Sequence, residues 1–187
     1  MMKIWALLGI LALVVAPVQA RVMVAVETTQ GDFVLQLNED KAPKTVSNFL
    51  RYVDDGSYVG TQFHRVIPRF VVQGGGFDQD LNRRPTYEPV DNESRNGLHN
   101  RRATIAMART QDPDSATRQF YINVSDNGFL DATPNKLGYT VFGRVVEGFN
   151  TILTITQQPT VTIPSKRMQD VPQQPIIITA INRVSTP

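Results

Sequence analysis

The chain has 187 residues, of which 41% are hydrophobic and 19% are charged, and these proportions exclude a disordered or fibrous chain. Its 19 basic and 17 acidic residues give a net charge of +2, which is too balanced to favour nucleic acid or an anionic membrane as the main partner. The absence of cysteine excludes disulfide bonds and thiolate chemistry.

The first twenty residues have the pattern of a secretory signal peptide. Lys3 gives the start a positive charge, residues 4–18 form an uncharged apolar run, and the small residues that signal peptidase requires end at Ala20. We expect cleavage after Ala20, which leaves residues 21–187 as a single domain with no second membrane-spanning run. The alternative is an uncleaved anchor, but this apolar run is shorter than the ~20 residues that a spanning helix needs.

A hairpin and a helix are predicted next. Residues 22–28 and 32–38 are strand-like runs around a turn at 29–31, which predicts two antiparallel strands. Residues 43–54 begin at a proline and are followed by Gly56, and this pattern is typical of an amphipathic helix. The apolar residues at helical spacing are Val46, Phe49, Leu50 and Val53.

The rest of the chain is rich in short strands. They are predicted at residues 62–67, 70–74, 103–108, 119–124, 139–146 and 175–184, with a second helix within 146–156. This pattern favours a mainly β fold, a closed eight-stranded antiparallel barrel capped by two α-helices. The long irregular stretches 77–102, 109–118 and 125–138 are candidates for function. The expected core residues are Phe63, Ile67, Phe120 and Phe142.

Several kinds of enzyme are excluded by the residues available. The two histidines, His64 and His99, belong to no HExxH pattern, and the chain has no GxSxG, GxGxxG or Walker motif. We therefore expect no metal and no cofactor. A core position is favoured over catalysis for His64, and a solvent-exposed one is expected for His99. Turn or cap roles are favoured for the acidic pairs Asp112/Asp114 and Asp126/Asp131.

Arg65 is the unusual residue. It lies in FHRVIPRFVVQGGG, residues 63–76, among strand-forming apolar side chains and before glycines that suit a bend or a close backbone approach. A guanidinium keeps its charge, so it either reaches solvent, pairs with a carboxylate or acts on a substrate. Rotation about an X-Pro bond is one reaction that such a group could catalyse, because a fixed donor beside the proline nitrogen stabilises the twisted state.

The same stretch resembles the signature of the cyclophilins, which are peptidyl-prolyl cis-trans isomerases and usually have FHR, then IPxF, then QGG. The resemblance extends over residues 22–184, through KAPKTVSNFLRYV, RQFYINV and GYTVFGRVVEG. TIAMART and DNGFLD are similar to the bacterial periplasmic branch in particular, which agrees with the signal peptide. The resemblance implies a periplasmic, monomeric isomerase of X-Pro bonds in exported, partly folded polypeptides. The alternative is a cyclophilin-like module that binds or chaperones such chains with little turnover.

By matching position, the resemblance implies that Arg65 is the catalytic arginine. Gln73 would hydrogen-bond the substrate backbone and hold Arg65, and the backbone groups of Ala108 and Arg109 would pair with the peptide. The remaining implied contacts are the walls and lining of a proline pocket and its rim, namely Phe70, Tyr121, Val71, Leu130, Phe129 and Tyr139.

Departures from the family pattern occur at five positions. Val71 stands where methionine is frequent, and Tyr121 stands where phenylalanine is frequent, with a hydroxyl expected to point out to water or to a partner. Phe129 replaces a tryptophan whose indole N–H helps to capture cyclosporin, so weak cyclosporin binding is expected. Tyr139 replaces a frequent histidine, and Arg69 replaces a frequent glycine with no functional account from the sequence.

Overall fold

An antiparallel sheet of eight strands dominates the computed structural model, which describes residues 22–184. The predicted signal segment and its cleavage site lie outside the described residues. The strand order is β10-β1-β2-β7-β5-β6-β4-β3. The strands of this sheet are β1 (Met23–Thr28), β2 (Gly31–Leu37), β3 (Thr61–Ile67), β4 (Val71–Asp78), β5 (Thr104–Met107), β6 (Phe120–Asn123), β7 (Val141–Glu147) and β10 (Ile178–Val184).

The sheet is an open, strongly curled half-barrel, so the prediction of a closed barrel is wrong. Its edge strands are β3 and β10, and between them the described residues form one isolated bridge, Gln62–Ile177, in place of a ladder. β10 begins only at Ile178 and pairs with β1. β3 also shifts register twice against β4. The two edges therefore meet over a short segment, where Gly60 N donates to Ile178 O and Phe63 N donates to Ile176 O, each at 2.9 Å.

Helix α1 (Pro43–Asp54) has the predicted bounds. Its apolar face is buried, and the Phe49 ring packs edge-on against that of Phe120 at 5.6 Å. Ala42 provides no side-chain cap at its N-terminus. The carboxylate of Glu93 instead accepts hydrogen bonds from the N–H groups of Lys44 at 3.1 Å and Thr45 at 2.8 Å. These contacts anchor part of the predicted loop 77–102, because they satisfy amide donors that a helix start leaves unpaired.

The second predicted helix is α2 (Phe149–Thr156), which begins after Gly148 and buries Ile152 and Ile155. A small two-stranded sheet of β8 (Thr160–Ile163) and β9 (Met168–Pro172) was not predicted. No helix within residues 22–184 has the length and apolar character needed to cross a membrane.

The core lies on one face of the large sheet. Phe63, Phe120 and Phe142 are buried there as predicted, whereas Ile67 lies at the end of β3 and is half-buried, so its core assignment is wrong. The glycines of β4 permit the predicted close approach, because a Cβ atom on Gly74 would lie 2.7 Å from the Phe63 ring. A larger residue would push that ring out of the core.

Candidate active site

Arg65 lies in β3 directly opposite Gln73 of β4. Its Nη1 donates to Gln73 Oε1 at 3.4 Å, and Gln73 Nε2 donates to Gln119 Oε1 at 3.0 Å. The guanidinium carbon lies 5.8 Å from the centre of the Phe70 ring. None of the ion pairs among residues 22–184 includes Arg65. The guanidinium is thus positioned by a neutral amide, which leaves its charge uncompensated.

Beside it, a second apolar cluster forms on the sheet face opposite the core. Along β6, the side chains of Phe120 and Ile122 enter the core and that of Tyr121 faces the other way. Strands β4, β5 and β7 show the same alternation, because successive side chains of a strand point to opposite faces. We call this set the outer cluster. Its buried members are Val71, Ala106, Tyr121 and Val141, and the side chains packed against them are Phe70, Leu98, Ala108, Leu130 and Tyr139.

The outer cluster thus brings together most of the residues that the resemblance implied. Those it unites are Phe70, Val71, Ala108, Tyr121, Leu130 and Tyr139. Sequence reasoning missed Ala106, Val141 and Leu98. The first two could have been found from the period of two in their strands, since they face the same way as Tyr121. Leu98 lies in the irregular stretch 77–102, where no periodic signal exists.

Aromatic rings form the rim of the outer cluster. Phe129 stacks on Phe70 with ring centres 5.7 Å apart, and it remains 72% exposed. Tyr139 meets the Tyr121 ring edge-on at 5.9 Å. An exposed ring that is held in place by a neighbour presents apolar surface to a ligand at little entropic cost.

Arg109 is fixed at the same rim. Its guanidinium carbon lies 4.6 Å from the centre of the Tyr139 ring. Nε donates to Gly138 O at 3.2 Å, Nη2 to Leu137 O at 3.1 Å, and Nη1 to Thr110 O at 2.8 Å. The side chain therefore holds two loops together. The Ala108 N–H donates to Gln119 O at 2.9 Å. One of the backbone groups that were predicted to pair with the peptide therefore already has a partner within the protein.

A buried polar network lies beneath the outer cluster. The hydroxyl of Tyr121 donates to Oδ1 of the buried Asn100 at 2.7 Å, so the expectation that it points out to water or to a partner is wrong. The Nδ2 group of Asn123 donates to the same oxygen at 3.2 Å. Asn127 Nδ2 in turn donates to Asn123 Oδ1 at 2.7 Å and to Phe70 O at 3.1 Å. The network thus ties two walls of the cluster, Tyr121 and Phe70, to each other.

Asp131 anchors this network at the surface. Its Oδ1 accepts from the Asn100 N–H at 2.7 Å and from Asn100 Nδ2 at 2.8 Å, and its Oδ2 lies 2.9 Å from Nδ1 of the exposed His99. Burial raises the pKa of Asp131, but the hydrogen bonds from Asn100 and His99 outweigh that effect and lower it. The carboxylate therefore acts as a structural acceptor for a distant segment of the chain, and not in the turn or cap role predicted for it.

His64 is buried, as expected for a core histidine. It is 4% exposed, its ring packs against that of Phe77 at 4.6 Å, and its Nδ1 has no hydrogen-bond partner. Burial, with smaller contributions from the charges of Arg65 and Arg83, lowers its pKa to about 4. The ring is therefore neutral near pH 7. Within residues 22–184 no group of three or more histidine, aspartate or glutamate side chains is placed to hold a metal ion.

Arg118 was not singled out in the sequence, yet it is the largest side chain that is fully buried. It donates to the carbonyl oxygens of Gly75, Pro85 and Ser57, each at 2.6 Å. Burial lowers its pKa. Because it joins β4 to two loops behind the site, it supports the strand that carries Gln73. A lone arginine in a polar stretch gave no local signal of this role.

Comparison with known proteins shows the family to which this chain belongs. The family described as cyclophilin type peptidyl-prolyl cis-trans isomerase/CLD matches residues 23–183. The chain belongs to the cyclophilins. A peptidyl-prolyl cis-trans isomerase of Streptomyces antibioticus is 52% identical over 158 residues, which cover 83% of this chain and 94% of the relative. Isomerase B of Escherichia coli is 48% identical over 162 residues, with 85% and 98% covered.

Solved structures agree with these relatives. A cyclophilin-type isomerase of Cryptosporidium parvum superimposes with a TM-score of 0.74 at 28% identity, covering 89% of this chain and 99% of that one. The same protein in the presence of the dipeptide Ala-Pro gives a TM-score of 0.72. This cyclophilin is therefore a peptidyl-prolyl cis-trans isomerase, as the resemblance implied. Its assignment to a periplasmic branch stays a prediction.

Proposed function

We propose that Arg65 is the catalytic group of this isomerase and that its substrates are X-Pro bonds in exported, partly folded polypeptides. The barrier to rotation is ~18–20 kcal/mol because the C–N bond has partial double-bond character. As the bond twists, conjugation is lost and the proline nitrogen becomes a hydrogen-bond acceptor. A donor that meets this nitrogen only in the twisted state lowers the barrier without strengthening ground-state binding.

The observation that carries this proposal is a positioned, uncompensated guanidinium beside an apolar cluster. Gln73 accepts a hydrogen bond from Arg65 on one side. The residues that would receive a proline ring lie next to Arg65, because Phe70 packs in the outer cluster and its ring centre is 5.8 Å from the guanidinium carbon. In the proposed complex the ring enters among Phe70, Val71, Tyr121 and Leu130. The flanking chain then passes Ala108 and Arg109. A charge in such a low-dielectric setting interacts more strongly with the twisted bond than it would in water.

Two variants test the role of Arg65. Removing one preorganised electrostatic donor commonly lowers kcat by about 10²-fold or more, so Arg65→Ala should lose turnover on a proline peptide to about that extent while its urea unfolding midpoint stays near that of the wild type. Arg65→Lys should also lose most activity, because a point charge does not reproduce the planar guanidinium. Near-wild-type rates in either variant would refute the assignment.

Export is supported by residues 1–20, whose charged start, apolar run and terminal Ala20 fit a cleaved signal. The test is to express the full chain in a Gram-negative host and to sequence the N-terminus of the protein in the periplasmic fraction. Residue Arg21 at that terminus is the expected result. An intact start at Met1 or Met2, or a protein confined to the cytoplasm, would contradict export.

Light scattering on residues 21–187 tests the predicted monomer.

The exposed aromatic pair favours a second activity, the holding of unfolded clients. Phe129 is 72% exposed on top of Phe70 and offers apolar surface beyond what a proline ring needs. Suppression of aggregation of a reduced client should be measured with the wild type and with Arg65→Ala. Suppression that survives the loss of turnover supports holding, and suppression that disappears with Arg65 shows that it depended on isomerisation.

A further inference from the structure

Three arginines border the outer cluster without a carboxylate partner. They are Arg65, Arg69 and Arg109, and we call them the arginine rim. The ion pairs found among residues 22–184 are Lys44–Asp91, His99–Asp131 and Arg183–Asp54, none of which involves the rim. The chain as a whole is nearly neutral, with 19 basic and 17 acidic residues. The positive charge at the site is therefore local and not a consequence of composition.

Each of these arginines is placed by a specific contact or by the backbone. Arg65 bonds a neutral amide and Arg109 bonds backbone carbonyls, so neither loses its net charge to its partners. The carboxylate closest in the chain to the pocket wall, Asp131, is already engaged by Asn100 and His99.

Arg69 adds a second, independent observation. It occupies the turn between β3 and β4, immediately before the pocket wall Phe70, and its φ of 61° lies in the left-handed region. Residues 67–70 form a turn closed by a hydrogen bond of 3.1 Å from Phe70 N to Ile67 O, and with Pro68 in second place its third position favours glycine. The Arg69 side chain makes no hydrogen bond, ion pair or ring contact within the described part of the chain. An exposed arginine thus occupies a position where its backbone conformation is strained and where its side chain makes no stabilising contact with the described residues.

We propose that the arginine rim makes this cyclophilin selective for prolines flanked by acidic residues. An apolar wall of low dielectric concentrates the field of nearby charges, and this field attracts anionic segments and repels cationic ones. The inference rests on the peptide crossing the outer cluster as proposed above. It adds the substrate class, namely Asp- or Glu-bearing segments, and it assigns Arg69 as a specificity-determining residue.

The test uses one peptide series with Glu, Gln or Lys at the residues flanking an invariant X-Pro bond. At low salt the ratio of kcat/KM between the Glu and Gln peptides should be about fivefold, and the Lys peptide should fall below the Gln peptide, in line with exposed charge pairs. Raising the ionic strength from about 0.02 M to about 0.5 M should bring the three peptides together, since screening shortens the reach of charges to a few ångströms. Equal rates for Glu and Lys peptides at low salt would overturn the proposal.

Matched variants locate the effect. Arg69→Asn removes the charge and keeps a residue that tolerates a positive φ, so it should lower the ratio of kcat/KM between the Glu and Gln peptides. Arg69→Lys keeps the charge and should keep the ratio of the wild type. The control is Arg167→Asn, because Arg167 is also an exposed arginine at a positive φ, 54°, in the connection between β8 and β9. Loss of the same ratio in the control, or none in Arg69→Asn, would remove Arg69 from the assignment. Turnover of the Gln peptide separates this result from the proposed function, because that turnover does not depend on flanking charge.

Discussion

The hydroxyl of Tyr121 and the side chain of Asn100 form a buried hydrogen bond of 2.7 Å between the outer cluster and the irregular stretch 77–102. Asn100 is bonded in turn to Asp131, which directly follows Leu130, another member of the cluster. The pocket is thus assembled from strands and from two loops that a single polar side chain holds in register. Its shape therefore depends on a buried residue that is not itself a member of the cluster.

Replacement of Asn100 by alanine should destabilise the fold by about 2 kcal/mol, because it leaves the buried Tyr121 hydroxyl and the Asp131 oxygen without their partner. We also expect a higher KM with a smaller change in kcat, since the walls move and Arg65 does not. Urea unfolding and steady-state kinetics measure both effects. Tyr121→Phe is the matched control, because Asn100 then keeps its bonds to Asp131 and Asn123, and its cost should be smaller. An Asn100→Ala protein as stable as the wild type would contradict the structural role.

The elements with local signals were predictable from the sequence. The hairpin of β1 and β2 and helix α1 follow from residues close together in the chain, and the structure confirms both. Closure of the barrel was not predictable in this way, because it depends on whether two edge strands far apart in sequence meet along their length. The β8–β9 hairpin was missed because its strands are short and bury only Val171 and Pro172, so they carry little apolar periodicity.

The same distinction between local and long-range signals applies to the candidate site. The strand residues Val71 and Tyr121 could be placed by position in a motif, and alternation along the strands explains why they meet. Leu98 and Asn100 belong to an irregular stretch, where contacts are set by the tertiary fold and no spacing rule applies. The buried Arg118 illustrates the limit most clearly, since its partners are backbone carbonyls from three distant segments.

Gln73 should matter for the chemical step. Its side chain accepts from Arg65 and donates to Gln119, so Gln73→Ala frees the guanidinium to rotate away from the twisted bond. We expect kcat to fall by about tenfold, which corresponds to ~1.4 kcal/mol of lost transition-state stabilisation, with little loss of stability. A coupled proline-peptide assay measures kcat, and urea unfolding measures the stability. An unchanged kcat would mean that Arg65 is positioned by the peptide itself.

Cyclosporin should bind weakly, with a dissociation constant in the micromolar range or higher. In the family the indole N–H of a tryptophan helps to capture the drug, and here the exposed Phe129 offers a ring without that donor. Phe129→Trp should therefore tighten binding by about fivefold, in line with about 1 kcal/mol for one net hydrogen bond. Isothermal titration calorimetry with cyclosporin measures the dissociation constants of the wild type and of Phe129→Trp. Submicromolar affinity of the wild type would disprove the explanation.

Arg69→Gly should stabilise the protein by about 1 kcal/mol, because glycine adopts the left-handed conformation that the turn imposes without the Cβ penalty. Arg69→Ala is the control, since it removes the same charge and keeps the penalty. Thermal unfolding of the three proteins separates backbone strain from electrostatics. If alanine stabilises as much as glycine, repulsion within the arginine rim rather than φ is the cause.

Stability should fall on acidification between about pH 6.5 and about pH 4 because of His64. In the folded protein its pKa is lowered from 6.5 to about 4 by burial, whereas in the unfolded chain the ring takes up a proton near the ordinary value. The unfolded state therefore binds more protons in this window, and the free energy of unfolding decreases as the pH falls, by at most ~1.4 kcal/mol per pH unit. Below about pH 4 this contribution is exhausted, because both states are protonated. The matched variant is His64→Gln, which cannot titrate, so the difference in unfolding free energy between variant and wild type should vary with pH only inside the window. A difference that stays constant from pH 7 to pH 4 would show that the imidazole is protonated in the folded state or reaches solvent.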